Sequence, residues 1–97
     1  MPKGYWIAHV TVTDPTDYER YRSMNGAAFA KYGGRFLVRG GTHVVANGNA
    51  NDRQVVIEFP SYQAALDCYH SPEYQAALAV FKTAALSDHV IAEGYDG

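Results

Sequence analysis

Cysteine, net charge and long hydrophobic runs are all scarce in this sequence of 97 residues. The single cysteine, Cys68, cannot form an internal disulfide or a thiolate zinc site, so we expect a reducing, cytoplasmic setting. A formal net charge of -2 excludes the basic surface that nucleic-acid binding requires. No apolar run approaches the roughly 18 residues of a membrane helix, and the N-terminus lacks the apolar stretch of a signal peptide. We therefore expect no nucleic-acid partner and no membrane partner.

The composition is that of a folded protein. Hydrophobic residues make up 47% of the chain and charged residues 19%, which are ordinary values for globular proteins and exclude disorder as the main interpretation. Chains of this length usually form one folded unit. We therefore expect a single domain over residues 1–97.

The first part of the chain predicts a strand followed by a helix. Residues 5–12 are rich in aromatic and β-branched side chains, which favours a strand. Asp14 can cap a helix and Pro15 suits its first position. One stripe at helical spacing then consists of Tyr18, Tyr21, Asn25, Ala28, Phe29 and Tyr32. The pair Gly33-Gly34 is typical of a left-handed helix end.

The middle of the chain predicts two strands joined by a long hairpin. The first strand is Arg35–Arg39, whose alternation places Arg35, Leu37 and Arg39 on one face. The hairpin, residues 40–52, contains Asn47-Gly48, a strong turn signal. The second strand covers residues 54–59 and ends at Pro60.

The last part predicts two helical segments and a final strand. Ser61 caps a short segment, and the break at Ser71-Pro72 begins another. Ser87-Asp88 ends this second segment. Residues 89–95 then form the last strand.

The order of predicted elements is βαββαβ, the ferredoxin-like arrangement of an α+β protein. This fold has a four-stranded antiparallel sheet with its helices on one face. The predicted strands also carry apolar residues on the other face, and no element remains to cover it. We therefore expect a homodimer in which two sheets face each other as a dimeric α/β-barrel.

Four blocks of sequence, in order along the chain, resemble a known family. They are KYGGRFLVRGG (31–41), VVIEFPSYQAAL (55–66), YHSPEYQAA (69–77) and VIAEGYDG (90–97). Over essentially its whole length the chain resembles the bacterial family called domain of unknown function 1330. The resemblance implies membership of the dimeric α/β-barrel superfamily. The family has no settled activity, so the resemblance implies fold and assembly and no particular reaction.

Strand alternation predicts a candidate site. Side chains alternate between the two faces of a strand, and one face of each predicted strand is more polar than the other. If the helices cover the apolar faces, the polar faces converge inside the dimer barrel. Four side chains would then surround one cavity: His9, Arg39, Glu58 and Glu93. These groups suit proton transfer and the binding of a small anion or carbonyl compound.

Two interpretations of this polar set stay open. In the first, Arg39 pairs with Glu58 or Glu93 and the set only fixes the register of the dimer, because buried charges are normally paired. In the second, the same residues bind a ligand. Tyr18 and Tyr21, which otherwise read as core residues, would then line the mouth of the pocket.

The other candidate residues favour structural roles. Cys68 and His70 lie two apart on a helix and do not face each other, so they are not a nucleophile and its base. We interpret Cys68 as a small buried hydrophobe. The histidines show no metal-ligand spacing, and the glycine pairs lack a dinucleotide-binding pattern. We therefore expect no metal and no cofactor.

Three functions follow as alternatives. The first is a binding protein for a small polar metabolite in the barrel cavity. The second, which the superfamily resemblance implies, is a cofactor-independent enzyme of monooxygenase or isomerase type. His9 would be its base, Arg39 would hold a carbonyl or anion, and Glu58 would orient one of them. The third is a structural or stress-associated dimer without a ligand. A cavity beside His9 with Arg39 unpaired would favour catalysis, whereas an Arg39 to Glu58 bridge would favour the structural dimer.

Overall fold

The strands and helices follow one another along the chain in the order that the sequence predicted. The computed structural model describes residues 2–96, so Met1 and Gly97 of the predicted domain lie outside the described residues. The elements are β1 (Gly4–Val12), α1 (Pro15–Lys31), β2 (Arg35–Arg39), β3 (Arg53–Phe59), α2 (Tyr62–His70), α3 (Pro72–Ala84) and β4 (Ala85–Glu93). The sheet order is β2-β3-β1-β4, and all neighbouring strands are antiparallel. The α+β, ferredoxin-like fold class is confirmed. No helix in the described range is both long and apolar enough to cross a membrane.

The ends of α1 lie where the sequence predicted them, because local groups satisfy the free backbone positions. The Asp14 carboxylate accepts a hydrogen bond from the backbone N–H of Asp17 at 3.1 Å. Gly33, with φ of 76°, follows the last turn, and the Gly34 amide donates to the Phe29 carbonyl at 2.8 Å. The seryl caps of α2 and α3 are also in place.

The helices cover one face of the sheet and form the core against it. The largest buried residues of this core are Trp6, Tyr18, Tyr21, Phe29, Phe59 and Tyr74. The Trp6 indole N–H donates to the Ala65 carbonyl at 2.9 Å. Cys68 is fully buried, as predicted. The other face of the sheet, which we call the open face, carries Tyr5, Ile7, His9 and Thr11 of β1 and their neighbours on β3 and β4.

The last strand begins earlier than predicted. Ser87 and Asp88 were expected to end a helix, but β4 begins at Ala85, directly after α3. The reason is tertiary: β1 offers a ladder partner as far as Val12, which lies opposite Ala85. The amide of Thr13 also donates to the last carbonyl of α3 at 2.8 Å. Pairing with β1 therefore outweighs the local turn preference of Ser and Asp.

A β-bulge in β2 changes which face its last residue occupies. Phe36 lies opposite Ile57, whereas Val38 lies opposite Val56, so Leu37 is the additional residue of the bulge. Beyond a bulge the alternation of faces reverses. Arg39 consequently lies opposite Val55 and points toward the helices.

The connection between β2 and β3 is long and irregular. Residues 40–52 contain no helix or strand and are almost entirely exposed. The ladder closes at Gly40, whose amide donates to the Gln54 carbonyl at 2.8 Å. Asn47-Gly48 therefore lies within a wide connection and does not form a tight two-residue turn.

Candidate ligand-binding site

The helices and the sheet enclose a small space, which we call the inner cavity. Its floor includes Trp6, Val10, Val55 and Ile57, and its roof includes Tyr18, Tyr21, Asn25, Phe29, Tyr74 and Phe81. The cavity volume is about 50 Å³, which is space for one or two water molecules or a group of similar size, and roughly a third of the volume that holds a benzene ring. The aromatic walls suit a flat apolar group.

Arginines line this cavity without a matching carboxylate. Arg22, Arg39 and Arg53 contribute to its wall, and no aspartate or glutamate of the described residues does. Arg22 is paired with Glu19 at 3.0 Å. Within residues 2–96, neither Arg39 nor Arg53 forms an ion pair.

The two free guanidinium groups differ in their surroundings. Arg39 lies over the Phe36 ring, 4.1 Å from its centroid. The Nε of Arg53 is buried and has no hydrogen-bond partner in the described part of the chain. A guanidinium donates well to carboxylates and other oxyanions, and a buried donor without a partner costs free energy. This end of the cavity is therefore suited to a small anion.

A pair of tyrosines closes the roof of the cavity. The hydroxyl oxygens of Tyr21 on α1 and Tyr74 on α3 are 2.9 Å apart and share a hydrogen bond. Burial raises the pKa of both phenols, so both stay protonated. Asn25, which is only 5% exposed, lies beside them on α1. The roof thus offers hydroxyl and amide groups in an otherwise apolar wall.

His89 lies at the opposite end of the cavity from the arginines. Its ring packs against Trp6 and Tyr69, with centroid distances of 4.7 and 5.6 Å. Burial lowers the pKa of His89 to about 4, so its imidazole is neutral near pH 7. Its Nε2 is buried and has no hydrogen-bond partner among residues 2–96. A neutral imidazole with a free nitrogen at a cavity wall can accept or donate a proton.

His9 lies on the open face, away from the inner cavity. Its Nδ1 accepts hydrogen bonds from the backbone N–H of Asn51 at 2.8 Å and from the Asn51 side chain at 2.9 Å. In the neutral ring, Nε2 therefore carries the hydrogen, and it lies 3.7 Å from Asp88. This leaves the neutral imidazole without a free lone pair. His9 joins the end of the 40–52 connection to the sheet.

Glu58 also lies on the open face, in a network of its own. It accepts hydrogen bonds from the Tyr5 hydroxyl and from Arg35 Nε, each at 3.2 Å, and Lys3 lies 3.5 Å away. Desolvation raises the pKa of Glu58, but these three partners outweigh it and hold the pKa below its ordinary value. The paired-network interpretation therefore describes Glu58, although its partner is Arg35 and not Arg39.

The four residues predicted to surround one cavity are not brought together. Along the sheet, Glu58 lies about 13 Å from His9, because four residues of β3 separate their ladder positions. Placing Arg39 on the same face was wrong because of the bulge at Leu37. Placing Glu93 there was also wrong: it lies at the exposed end of β4 on the helix side. The catalytic roles assigned to His9, Arg39 and Glu58 stay predictions.

Tyr18, Tyr21 and Arg39 were predicted for a cavity inside the dimer barrel, and they line the inner cavity under the helices instead. Sequence reasoning gave no site role to Arg53, His89 or Asn25. The sequence did contain a signal for Asn25, since a polar residue within an aromatic helical stripe indicates a buried polar side chain in the core. Arg53 gave none, because its position depends on where the long connection rejoins the sheet.

Metal ligands are not clustered in the described range. No group of three His, Cys, Asp or Glu side chains within residues 2–96 could hold a metal ion. The polar side chains that line the inner cavity are those of arginine, tyrosine, asparagine, serine, histidine and tryptophan.

The sequence of the chain matches one family model. Residues 3–95 match the Domain of unknown function (DUF1330). The chain belongs to this family. The DUF1330 assignment agrees with the resemblance seen in the sequence blocks, and it assigns no activity. A search of curated proteins finds no match.

Solved structures support the fold of this DUF1330 member. A protein of unknown function from Rhodopseudomonas palustris shares 18% identity, with a TM-score of 0.76 over 99% of this chain and 85% of that chain. SnoaB, a cofactor-independent oxygenase from Streptomyces nogalater, shares 15% identity, with a TM-score of 0.65 over 100% and 97%. A dimeric protein of unknown function from Bacteroides fragilis shares 15%, with a TM-score of 0.53 over 94% and 95%. At these identities the likeness is evidence of fold alone.

Proposed function

We propose that this protein binds a small carboxylate whose acidic group occupies the inner cavity. The observation that carries this proposal is the pair Arg39 and Arg53, which line an aromatic cavity without an ionic partner in the described range. The protein as a whole is slightly acidic, so a cavity wall with arginines and no carboxylates is a local feature. This combination of arginine and aromatic side chains favours a ligand with an anionic group and an apolar remainder.

Benzoate is a suitable first probe, and benzamide is its neutral counterpart. Trp6 is the only tryptophan and forms part of the cavity floor, so its indole signal in a ¹H–¹⁵N NMR spectrum reports on the site. We expect benzoate to shift this signal with a Kd at or below about 1 mM, which is ordinary for a ligand of this size. Benzamide should bind at least about tenfold more weakly because it lacks the charge.

An arginine variant tests the assignment directly. Arg53→Met should weaken benzoate binding about tenfold or more, since it removes a buried donor to the anion. Arg20→Met is the matched control, because Arg20 lies on the exposed side of α1 and pairs with Asp17 at 3.6 Å. Two results would contradict the proposal. One is an equal affinity of the wild type for benzoate and benzamide, and the other is an equal loss of benzoate affinity in Arg53→Met and Arg20→Met.

We also infer that two copies of the chain associate through their open faces. Four large apolar side chains on this face are exposed: Ile7 (47%), Val38 (38%), Leu86 (65%) and Val90 (58%). Exposed apolar side chains on neighbouring strands of one sheet face are typical of an interface. The dimeric protein from Bacteroides fragilis, which has a similar fold, supports the inference.

Light scattering in solution tests this assembly. We expect the mass of two chains for the wild type and of one chain for Val90→Lys, which places a charge on the interface. Val44→Lys is the control, because Val44 is 86% exposed in the 40–52 connection. A wild-type mass of one chain would refute the dimer.

A second candidate function is base catalysis without a cofactor. The observation that favours it is the neutral imidazole of His89, whose Nε2 has no partner in the described range. In such a reaction a C–H bond next to a carbonyl breaks, the proton moves to the imidazole, and the electron pair forms an enolate. The cofactor-independent oxygenase SnoaB has a similar fold.

Deuterium exchange into the methyl group of pyruvate tests this candidate. Pyruvate is a small ketone with exchangeable methyl hydrogens, and NMR in D₂O follows their exchange. We expect catalysed exchange that falls about 100-fold in His89→Gln. His9→Gln tests the assignment of His9 as base, and it should leave the rate unchanged because the Nδ1 of His9 is bonded to Asn51. No exchange above the buffer rate would remove this candidate.

A further inference from the structure

The outer edge of β4 has no strand beside it in the part of the chain that the structure describes. The sheet order is β2-β3-β1-β4, so β4 is an edge strand of nine residues. It carries the exposed side chains of Leu86 and Val90. A long edge strand with exposed apolar side chains pairs readily with another chain, and natural proteins usually cover such an edge. This edge is therefore a surface on which we expect a partner segment.

A depression runs beside the first half of β4. It lies between α3 and β4, has a volume of about 400 Å³, and is lined by residues that include Leu78, Phe81, Leu86 and Ser87. Leu86 also belongs to the open face, since it lies opposite Thr11 in the ladder with β1. The depression is thus continuous with the surface of the proposed dimer.

The connection between β2 and β3 contains a short segment that suits such an edge. Residues 43–46 have the sequence HVVA, and the two neighbouring valines favour an extended strand. The backbone of this segment forms no backbone hydrogen bond within residues 2–96. Asn51, at the far end of the connection, donates to His9 on the open face. The connection therefore emerges on the side of the sheet where the partner lies, with free backbone groups for the addition of a strand.

Charge indicates which edges of the two sheets meet. β2 carries Arg35 and Arg39 and no carboxylate, whereas β4 carries Asp88 and Glu93 and no lysine or arginine. If two open faces pack about a twofold axis along the strands, β2 of each chain lies next to β4 of the other. If the axis is perpendicular to the strands, β2 meets β2 and β4 meets β4, so that like charges approach each other. Complementary charge favours the axis along the strands.

The register of the ladders then brings the connection to the depression. Across the sheet, the two ends of β2, Arg35 and Arg39, are level with Ala92 and His89 of β4. The β2 strand of a partner therefore leaves residues 85–88 of β4 without a neighbour. A twofold axis along the strands keeps the same ends of the two sheets together, so the chain that follows β2 continues beside this part of β4. The depression lies at the same place.

We propose that residues 43–46 of each chain add as a short strand to the outer edge of β4 in the partner subunit, with Val45 in the depression. This inference rests on the proposed dimer. Val44 is 86% exposed and Val45 45%. Neighbouring strand residues point to opposite faces, so Val44 points to the solvent at the open end of the barrel. Val45 covers the side of His89 that lines the depression.

The length of the chain permits this contact. The six residues from Arg39 to Val45 can span up to about 20 Å, whereas residues 85–88 of β4 extend about 13 Å. The segment therefore reaches the whole depression without any change in β2.

An interchain disulfide tests the contact directly. Val45→Cys combined with Ser87→Cys places one thiol on the segment and one on β4 at the depression. We expect mild oxidation to link the two chains of the dimer, so that a non-reducing gel shows a band of twice the chain mass. Val44→Cys combined with Ser87→Cys is the matched control. It should give at least about fivefold less linked dimer after the same time, because its thiol points away from the depression.

A second pair of variants measures the contact without cysteines. Val45→Lys should raise the Kd of the dimer about tenfold, because it places a charge in the depression. Val44→Lys, the same change one residue earlier, should leave this Kd unchanged. Analytical ultracentrifugation over a dilution series gives the Kd values, and circular dichroism checks that each variant is folded.

The outcomes distinguish this inference from the dimer itself. If the wild type has the mass of two chains but Val45→Cys with Ser87→Cys forms no linked dimer, the inference is refuted and the dimer stands, with another occupant for the depression. Equal linking in the Val44→Cys control, or equal Kd values for the two lysine variants, would also refute it. If the wild type has the mass of one chain, both proposals fall.

Discussion

Gly40 and Arg53 lie against each other across the base of the connection between β2 and β3. A Cβ atom at Gly40 would collide with the guanidinium of Arg53, and Gly40 has a φ of 71°, a left-handed conformation that side chains disfavour. The glycine therefore makes room for the guanidinium that lines the inner cavity. It links the irregular connection to the wall of the inner cavity.

The variant Gly40→Ala should disturb both stability and anion binding. We expect a loss of about 1 kcal/mol in the free energy of unfolding from the left-handed backbone. We also expect about tenfold weaker benzoate binding, because the Arg53 side chain must move. Gly41→Ala is a matched control, since a Cβ atom at Gly41 would meet no atom of residues 2–96 within 4 Å apart from its own chain neighbours, and its φ is not positive. Urea unfolding and NMR titration measure the two effects, and equal results for the variants would contradict this account.

The hydroxyl pair of Tyr21 and Tyr74 should behave as a coupled unit. Replacing either tyrosine with phenylalanine leaves the other buried hydroxyl without its partner at 2.9 Å, which should cost about 1–2 kcal/mol. The double variant should lose less than the sum, because it leaves no unpaired hydroxyl. The wild type, the two single variants and the double variant form a double-mutant cycle, in which urea unfolding measures the free energy of unfolding of each protein. Strictly additive losses would show that the hydrogen bond contributes nothing.

His89 should make the protein less stable in mild acid. Burial holds the pKa of His89 at about 4 in the folded state, whereas an unfolded histidine titrates near 6.5. As pH falls through that window, the unfolded chain binds a proton that the folded chain does not. The stability of the folded state should therefore fall by about 2 kcal/mol between pH 6.5 and pH 4.

The variant His89→Gln removes this titration and is the comparison for that prediction. Urea unfolding at pH 7 and pH 5 should show a smaller loss of stability in the variant than in the wild type. The carboxylates with lowered pKa, Glu58 and Glu73, contribute equally to both proteins and cancel in the difference. A His89 signal that titrates near pH 6.5 in an NMR experiment would overturn the prediction.

Cys68 should be inert in the folded protein. Burial raises the pKa of its thiol to about 12, so almost no thiolate forms near pH 8. We expect labelling by a thiol-reactive disulfide reagent to be at least about 100-fold slower in the native state than in urea. Cys68→Ala should show no labelling in either state. Fast labelling of the native protein would mean that the core around α2 opens readily.

Much of the fold could be predicted from local signals. Asp14 and Pro15 marked the start of α1, and the pair Gly33-Gly34 marked its end, because capping depends on residues close in sequence. The stripe of α1 was also predicted, since helical periodicity is local. The start of β4 could not be predicted, because Ser87 and Asp88 favour a turn until β1 offers them a ladder.

The candidate site depended on facts that local pattern does not contain. By composition alone, the face of β4 with Leu86 and Val90 looks more apolar than the face with His89. Pairing with β1 places Ile91 opposite Trp6 and turns the His89 face to the helices instead. In β4, alternation predicted which residues share a face but not which face the helices cover.

The sequence by itself determined the order of the elements, the ends of the helices and the aromatic stripe, because each depends on neighbours within a few residues. Only the tertiary structure decided the faces of Arg39 and His89. One extra residue at Leu37 reversed the alternation in β2, and strand pairing set the orientation of β4. Both effects arise from contacts between residues far apart in the chain, where a shift of one position moves a side chain to the other side of the sheet.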